Sequence, residues 1–355
     1  MILEDNGINI AIRGTIQTMN KVFIIFMISV LFTQCNGDKE NTIQFSGEAQ
    51  GTTYQITYLT ESSKNYQEQI DSIFNVIDLS LSTYVPSSII SLINKDSMVV
   101  ADHHFINVFN AAKEISGKTN GYFDVTVGPL INAWGFGNSK KENVDSSLVD
   151  SLLKNIGYEL VQLEENRIVK INSGSMLDFN AIAQGYTVDV LANLLEENNI
   201  QNYLIELGGE VKAKGRKKNE ELWTVGIDQP NEEPTEGRPL QAIIQLENRA
   251  LATSGNYRKY YVENGQKYSH IIDPHTGYPA KNNLLSATVI ALDCMRADAY
   301  ATAFMVMGLE KSKQFLQKNP ELQLEVYFIY DENGNWKTYT SEKLKERVRE
   351  IKVKI

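Results

Sequence analysis

Two hydrophobic periods run along this chain, and the order in which they follow each other limits its fold more than any other feature. Thr42–Tyr58 reads as strand: Tyr54, Ile56 and Tyr58 alternate with polar residues at period two. Ile70, Ile73, Phe74, Ile77 and Leu81 then fall at helical spacing. Tyr84-Val85-Pro86-Ser87 breaks that helix, and Ser87 is the expected N-cap of a short one after it. Phe105, Val108, Phe109, Ala112 and Ile115 mark another amphipathic helix, ending near Thr119-Asn120-Gly121. Gly128–Gly137 is too rich in glycine and aromatics for a regular element. Leu148, Leu152 and Ile156 make a helix closed by Gly157, and a hairpin of Tyr158–Leu163 with Arg167–Ile171 turns about Glu164–Asn166.

Further on come a helix at Ile182–Leu195 and an apolar strand at Tyr203–Leu207 that ends in Gly208-Gly209. Strands at Trp223–Ile227 and Ala242–Leu246 flank a loop rich in Glu and Pro. A strand at Ser286–Ala291 precedes a helix at Arg296–Met307. The tail reads as a strand at Leu322–Tyr330, a turn at Asp331–Gly334 and a charged helix at Ser341–Ile351. There is no strict βαβ rhythm, no internal repeat and no low-complexity linker, so the expectation is a single α+β domain spanning residues 41–345.

Its 355 residues, 42% of them hydrophobic, suffice for a large core. The formal net charge of −10 argues against nucleic acid as a partner, because phosphate backbones are bound by clustered Lys and Arg. Two cysteines, Cys35 and Cys294, make neither a disulfide framework nor a zinc site. Met19-Asn20-Lys21 opens a basic n-region, and Val22–Phe32 is apolar but short for a membrane span. The run ends at Thr33-Gln34-Cys35, the pattern of a bacterial lipoprotein signal, with Gln34 where a small residue is usual. Residues 1–18 are then an upstream extension, 19–35 the signal, and Cys35 the lipidated residue of an exported, periplasm-facing, membrane-anchored protein. Cys294 reads as a small buried hydrophobe.

Four segments carry chemistry. Ala252-Thr253-Ser254-Gly255-Asn256-Tyr257 places small polar residues at a strand end, a simple turn or a cradle for phosphate. In Ser269–Pro279, Pro274 and Thr276-Gly277 impose a rigid turn, with His270 beside the end of a strand at Ile271-Ile272; His270 is a structural residue or a general base. Asp298 and Thr302 share a helix face, as a buried capped Asp or as two oxygen ligands for a hard cation. Asp178–Tyr186 is a strand-to-helix passage whose backbone groups suit phosphate, or metal through a carbonyl.

In this order the segments resemble the ApbE family of FAD:protein FMN transferases. The resemblance rests on Gly51-Thr52-Thr53-Tyr54, Leu81–Tyr84, Gly121–Leu130, Trp134–Gly137, Leu177–Asp178 with Ala181–Ala183 and Gly185-Tyr186, Glu206 with Gly208-Gly209, Thr253–Tyr257, Ser269–Pro279 and Ala297–Ala303. It covers about residues 43–340. It implies transfer of the FMN moiety of FAD to a Thr or Ser hydroxyl of a target protein, dependent on Mg²⁺, with release of AMP. It also implies Ala181 (carbonyl), Asp298 and Thr302 as metal ligands and His270 as the base. Gln50, Tyr84, Tyr122, Phe123, Asp124, Asp178, Gln184, Thr253, Ser254, Gly255 and Ile272 would bind the cofactor. The sequence departs from the family where Gln184 replaces a usual Lys and Gln50 a common Met. Hydrolysis of FAD to FMN and AMP, and non-catalytic flavin binding, are the alternatives. The acceptor implied is a membrane redox-pump subunit.

Overall fold

The computed structural model describes residues 40–137, 142–230, 239–256, 260–263 and 266–351. The chain divides into residues 1–41 and 42–355, and the architecture below belongs to the second unit. The signal segment with Cys35, Tyr257 and most of the loop rich in Glu and Pro lie outside the described residues.

The spine is an eight-stranded sheet of β1 (Asn41–Ala49), β2 (Thr52–Thr60), β3 (Tyr203–Leu207), β4 (Glu210–Lys214), β5 (Arg249–Gly255), β6 (Leu284–Ala291), β7 (Glu325–Glu332) and β8 (Asn335–Thr340). The strands lie side by side in chain order, and from β2 to β8 each neighbour is antiparallel. Antiparallel neighbours need no crossover helix, which is why no βαβ rhythm appears in the sequence. Among the described residues, six helices are inserted between β2 and β3: α1 (Gln67–Leu81), α2 (Ile89–Asn94), α3 (His103–Lys118), α4 (Gly128–Ala133), α5 (Ser146–Leu153) and α6 (Ala183–Glu197). A seventh, α7 (Cys294–Lys318), joins β6 to β7.

β7 shows how both faces of the sheet are buried. Val326 and Phe328 pack with Phe105, Phe179 and Phe304 of the helical layer. Tyr327 and Ile329 pack on the other side with Trp223 and Leu246, which belong to a three-stranded sheet of Val348–Glu350, Leu240–Leu246 and Trp223–Asp228. Burying a side chain of this size contributes about 1.5–3 kcal/mol, so strands apolar on both sides are strongly held.

The structure corrects several expectations. Thr42–Tyr58 is a hairpin and not one strand, because Gln50 (φ 51°) and Gly51 (φ 72°) turn the chain between β1 and β2. The N-cap of α2 is Ser88, whose hydroxyl accepts from the Ser91 amide, and not Ser87. Gly128–Gly137 is not wholly irregular: Pro129 in the first turn starts the short α4. The strand before His270 is Gln266–Ser269, and Ile272 makes only an isolated bridge with Pro279. Ser341–Ile351 is not a helix but a short 3₁₀ turn at Glu342–Arg347 followed by a strand, because Val348 is taken up by pairing with Ile244. Arg296–Met307 is part of a longer α7, which continues past a kink at Gly308.

Candidate active site

The site is built where α6 meets α7. Gly185 makes that approach: a Cβ there would lie 2.4 Å from the Cys294 carbonyl oxygen and 2.9 Å from Asp298 Cβ. Asp189, one turn further along α6, accepts from the amides of Cys294 (3.0 Å) and Met295 (2.9 Å) and pairs with Lys212 at 2.7 Å. It therefore holds the first turn of α7 against α6, alongside the N-cap Asp293. The work of Asp189 is in the fold, fixing one helix against the other.

Asp298 follows on the first turns of α7 and is buried. Among the described residues its carboxylate accepts one hydrogen bond, from the Gly185 amide at 3.2 Å. Burial pushes its pKa up to about 7, partly offset by that amide. Asp298, Thr302 and Ala181 line a single cavity of about 240 Å³. A buried carboxylate with one amide donor, beside a hydroxyl and a carbonyl, is an all-oxygen set that fits a hard divalent cation. Among the described residues no group of three or more His, Cys, Asp or Glu is gathered to hold a metal by itself.

The turn after His270 lines the same cavity. The Gly277 amide donates to Asp273 O (2.8 Å), and the Asp273 amide to Tyr278 O (2.9 Å). Gly277 at φ 75° closes the turn, and Trp134 Nε1 donates to its carbonyl at 2.8 Å. His270 is half-buried, its ring edge-on to Phe136 with centroids 6.3 Å apart.

A second cavity of about 530 Å³ adjoins the first, and His270, Gln184, Asn180 and Ile131 line both. Tyr122, Phe123, Asp124, Asp178, Thr253, Ser254, Gly255 and Ile272 line the smaller one; Gln50 and the exposed Tyr84 line the larger. Every implied site residue among those described thus faces one of two joined cavities. Gln184 Nε2 reaches the Gln50 carbonyl at 3.4 Å, and Gln50 Nε2 donates to Thr187 at 3.0 Å, so the hairpin turn is tied to the start of α6.

Two of the carboxylates are also engaged by their own chain. Asp124 accepts from the Thr126 amide (2.8 Å) and hydroxyl (2.7 Å) and the Tyr158 amide (2.8 Å). Burial raises its pKa and those donors lower it. Asp178 accepts from the Asn180 amide at 2.7 Å, and burial raises its pKa in the same way. Both hold their loops in shape as well as facing the cavity. Sequence reasoning missed Asn180, Glu210 and Val306 on the walls; Glu210 directly follows Gly208-Gly209, and that glycine pair was the signal for it.

The N-terminus of α6, a buried carboxylate with oxygen neighbours, and a histidine on a rigid turn together suit a pyrophosphate-bearing nucleotide. The ApbE family profile matches residues 50–328. The chain is 35% identical over 326 residues to the FAD:protein FMN transferase of Vibrio cholerae, covering 89% of this chain and 95% of that one. It is also 35% identical over 320 residues to the FAD:protein FMN transferase of Haemophilus influenzae, covering 86% and 91%. The solved flavin transferase ApbE from Vibrio cholerae superposes with a TM-score of 0.77 at 33% identity, over 87% of this chain and 99% of that one. The chain belongs to the ApbE family.

Proposed function

We infer that this chain is an FAD:protein FMN transferase. The observation that carries this is the convergence of His270, on one loop, with Asp298 and Thr302 of α7 and Ala181 of the turn before α6 on one cavity. The smaller cavity alone falls short of the about 300–1,000 Å³ usual for small-molecule sites, so a dinucleotide extends into both.

FAD binds with its pyrophosphate toward the α6 N-terminus, whose dipole favours an anion. Asp298, Thr302 and the Ala181 carbonyl would hold Mg²⁺, which supplies neutralisation of charge on the phosphate oxygens. A Thr or Ser hydroxyl of the acceptor protein attacks the FMN phosphorus. His270 takes the hydroxyl proton as the new P–O bond forms. The bond to the AMP phosphate breaks and AMP leaves with the electron pair. Little covalent chemistry is asked of the protein; placement and charge dominate.

The N-terminal run ending at Cys35 supports an exported lipoprotein anchored at a membrane surface, with a membrane redox-pump subunit as acceptor. Labelled palmitate should follow Cys35 and be lost in Cys35→Ser.

Purified protein mixed with FAD, Mg²⁺ and an acceptor domain should yield an acceptor heavier by one FMN in a mass spectrum, with AMP released. Free FMN and AMP without any adduct would replace the transferase by an FAD pyrophosphatase. Intact bound FAD would leave only a flavin binder.

A further inference from the structure

Tyr122 lines the smaller cavity, yet its outer surroundings are more elaborate than a wall residue requires. Lys311 Nζ donates to its hydroxyl at 2.6 Å and lies 4.9 Å from the ring centre. Lys311 is thus held near the hydroxyl end of a ring that lines the cavity. His275 packs edge-on to the ring, with centroids 4.6 Å apart at 62°. That imidazole is itself fixed: Nε2 is 2.8 Å from the Asn120 carbonyl oxygen, and Nδ1 is 3.1 Å from Asp273 Oδ1.

The reach of Lys311 depends on the kink in α7. Gly308 adopts φ 74° and ψ 175°, and Asn282 Nδ2 caps the broken turn by donating to Met305 O at 2.8 Å. The first half of α7 presents Asp298 and Thr302 to the cavity; the redirected second half brings Lys311 to Tyr122. His275 belongs to the same turn that follows His270. Tyr122 is thus tied to the two elements that carry the reacting groups.

We propose that Lys311 and His275 are positioning residues that lock the Tyr122 ring as a stacking platform for a planar ring of FAD. The inference rests on the flavin-transfer reading. A flat aromatic face gains from an aromatic ligand only if its orientation is held before binding. The hydroxyl bond fixes the ring's direction and the imidazole edge fixes its tilt. The planar ring is flavin or adenine, and the two halves of the dinucleotide separate these sources.

The test is Lys311→Met in the full chain, with Lys311→Arg as the conservative partner and His275→Ala as a second, independent variant. Lys311→Met is expected to raise KM for FAD about tenfold with kcat held within about twofold, since a charge-assisted hydrogen bond is removed from the platform and not from the reacting groups. Lys311→Arg should restore KM, which a general loss of structure would not allow. Titration of each protein with FMN and with AMP as separate probes identifies the ring: weakened FMN binding assigns the flavin, weakened AMP binding the adenine. His275→Ala should weaken the same probe. If Lys311→Met binds FAD, FMN and AMP as the parent does while the parent makes the FMN adduct, the platform is overturned and the transferase stands. If the parent binds FAD but makes no adduct, the transferase reading fails, and the probe titrations still decide the platform.

Discussion

The two walls of the cavity are made on opposite plans. The wall bearing Asp298 belongs to two crossing helices and is fixed by a glycine with no room for a side chain, by Asp189 on the α7 amides and by a half-buried ion pair of Asp189 with Lys212. The wall bearing His270 is a single turn closed by a few backbone hydrogen bonds and one indole N–H. Under the proposed reaction, the difference follows from what each would do. A carboxylate that is to meet concentrated phosphate charge has to be held in place before binding, because its burial is unfavourable until a cation arrives. A base that meets a hydroxyl carried in by another protein needs only to be aimed, and a short rigid turn suffices.

The sharpest way to break the helical wall is at Gly185. Gly185→Val places side-chain atoms against the Cys294 carbonyl, and overpacking of this kind costs about 3 kcal/mol. Thermal unfolding should shift down and FAD binding should be lost together. A variant with parental melting would show that the crossing is not as tight as the distances require.

Next comes the carboxylate. Asp298→Ala should remove Mg²⁺ stimulation and lower transfer about a thousandfold, because several kcal/mol of charge stabilisation go with the metal; continued stimulation by Mg²⁺ would take Asp298 out of the ligand set. On the loop wall, His270→Ala is expected to keep FAD affinity while transfer falls by about 10²–10⁴. Loss of binding instead would mean that the turn, and not the base, had been damaged.

A smaller effect reports on burial itself. Asp298 holds its proton up to about pH 7 in the fold, well above its unfolded value. Between these two pH values the native state binds more protons than the unfolded one, so metal-free stability should decline as pH rises from about 4 to 7. The group contributes its full stability below the unfolded pKa, and the loss is complete above the folded one. Chemical denaturation of the metal-free protein across this range should show a steeper decline than Asp298→Asn. The least effect is expected at Gln184→Lys, which restores the cation implied by the family resemblance; KM for FAD should drop by about threefold at low salt and less at high salt.

Much of this site was legible before the fold. Thr276-Gly277 after Pro274 announced a rigid turn, and Asp298 and Thr302 announced a shared helix face, because both rest on interactions a few residues apart. The hairpin turn at Gln50-Gly51 was missed: Gln50 takes a positive φ that its residue type does not advertise. Ser341–Ile351 was misread because its charges suit a helix, while pairing with a strand about a hundred residues earlier decides otherwise. Glu210 and Asn180 carried no motif of their own, and only their neighbours place them at the cavity.

By itself, the sequence determined the α+β class, the turn chemistry around His270 and the shared helix face of Asp298 and Thr302. These follow from local periodicity, backbone restriction and composition. Only the tertiary structure decided that those pieces share one cavity, that Asp189 holds the first turn of α7, and that a kink at Gly308 brings Lys311 to Tyr122. Each of these depends on contacts between residues far apart in the chain, whose approach is set by packing of the whole core and leaves no periodic mark in the sequence.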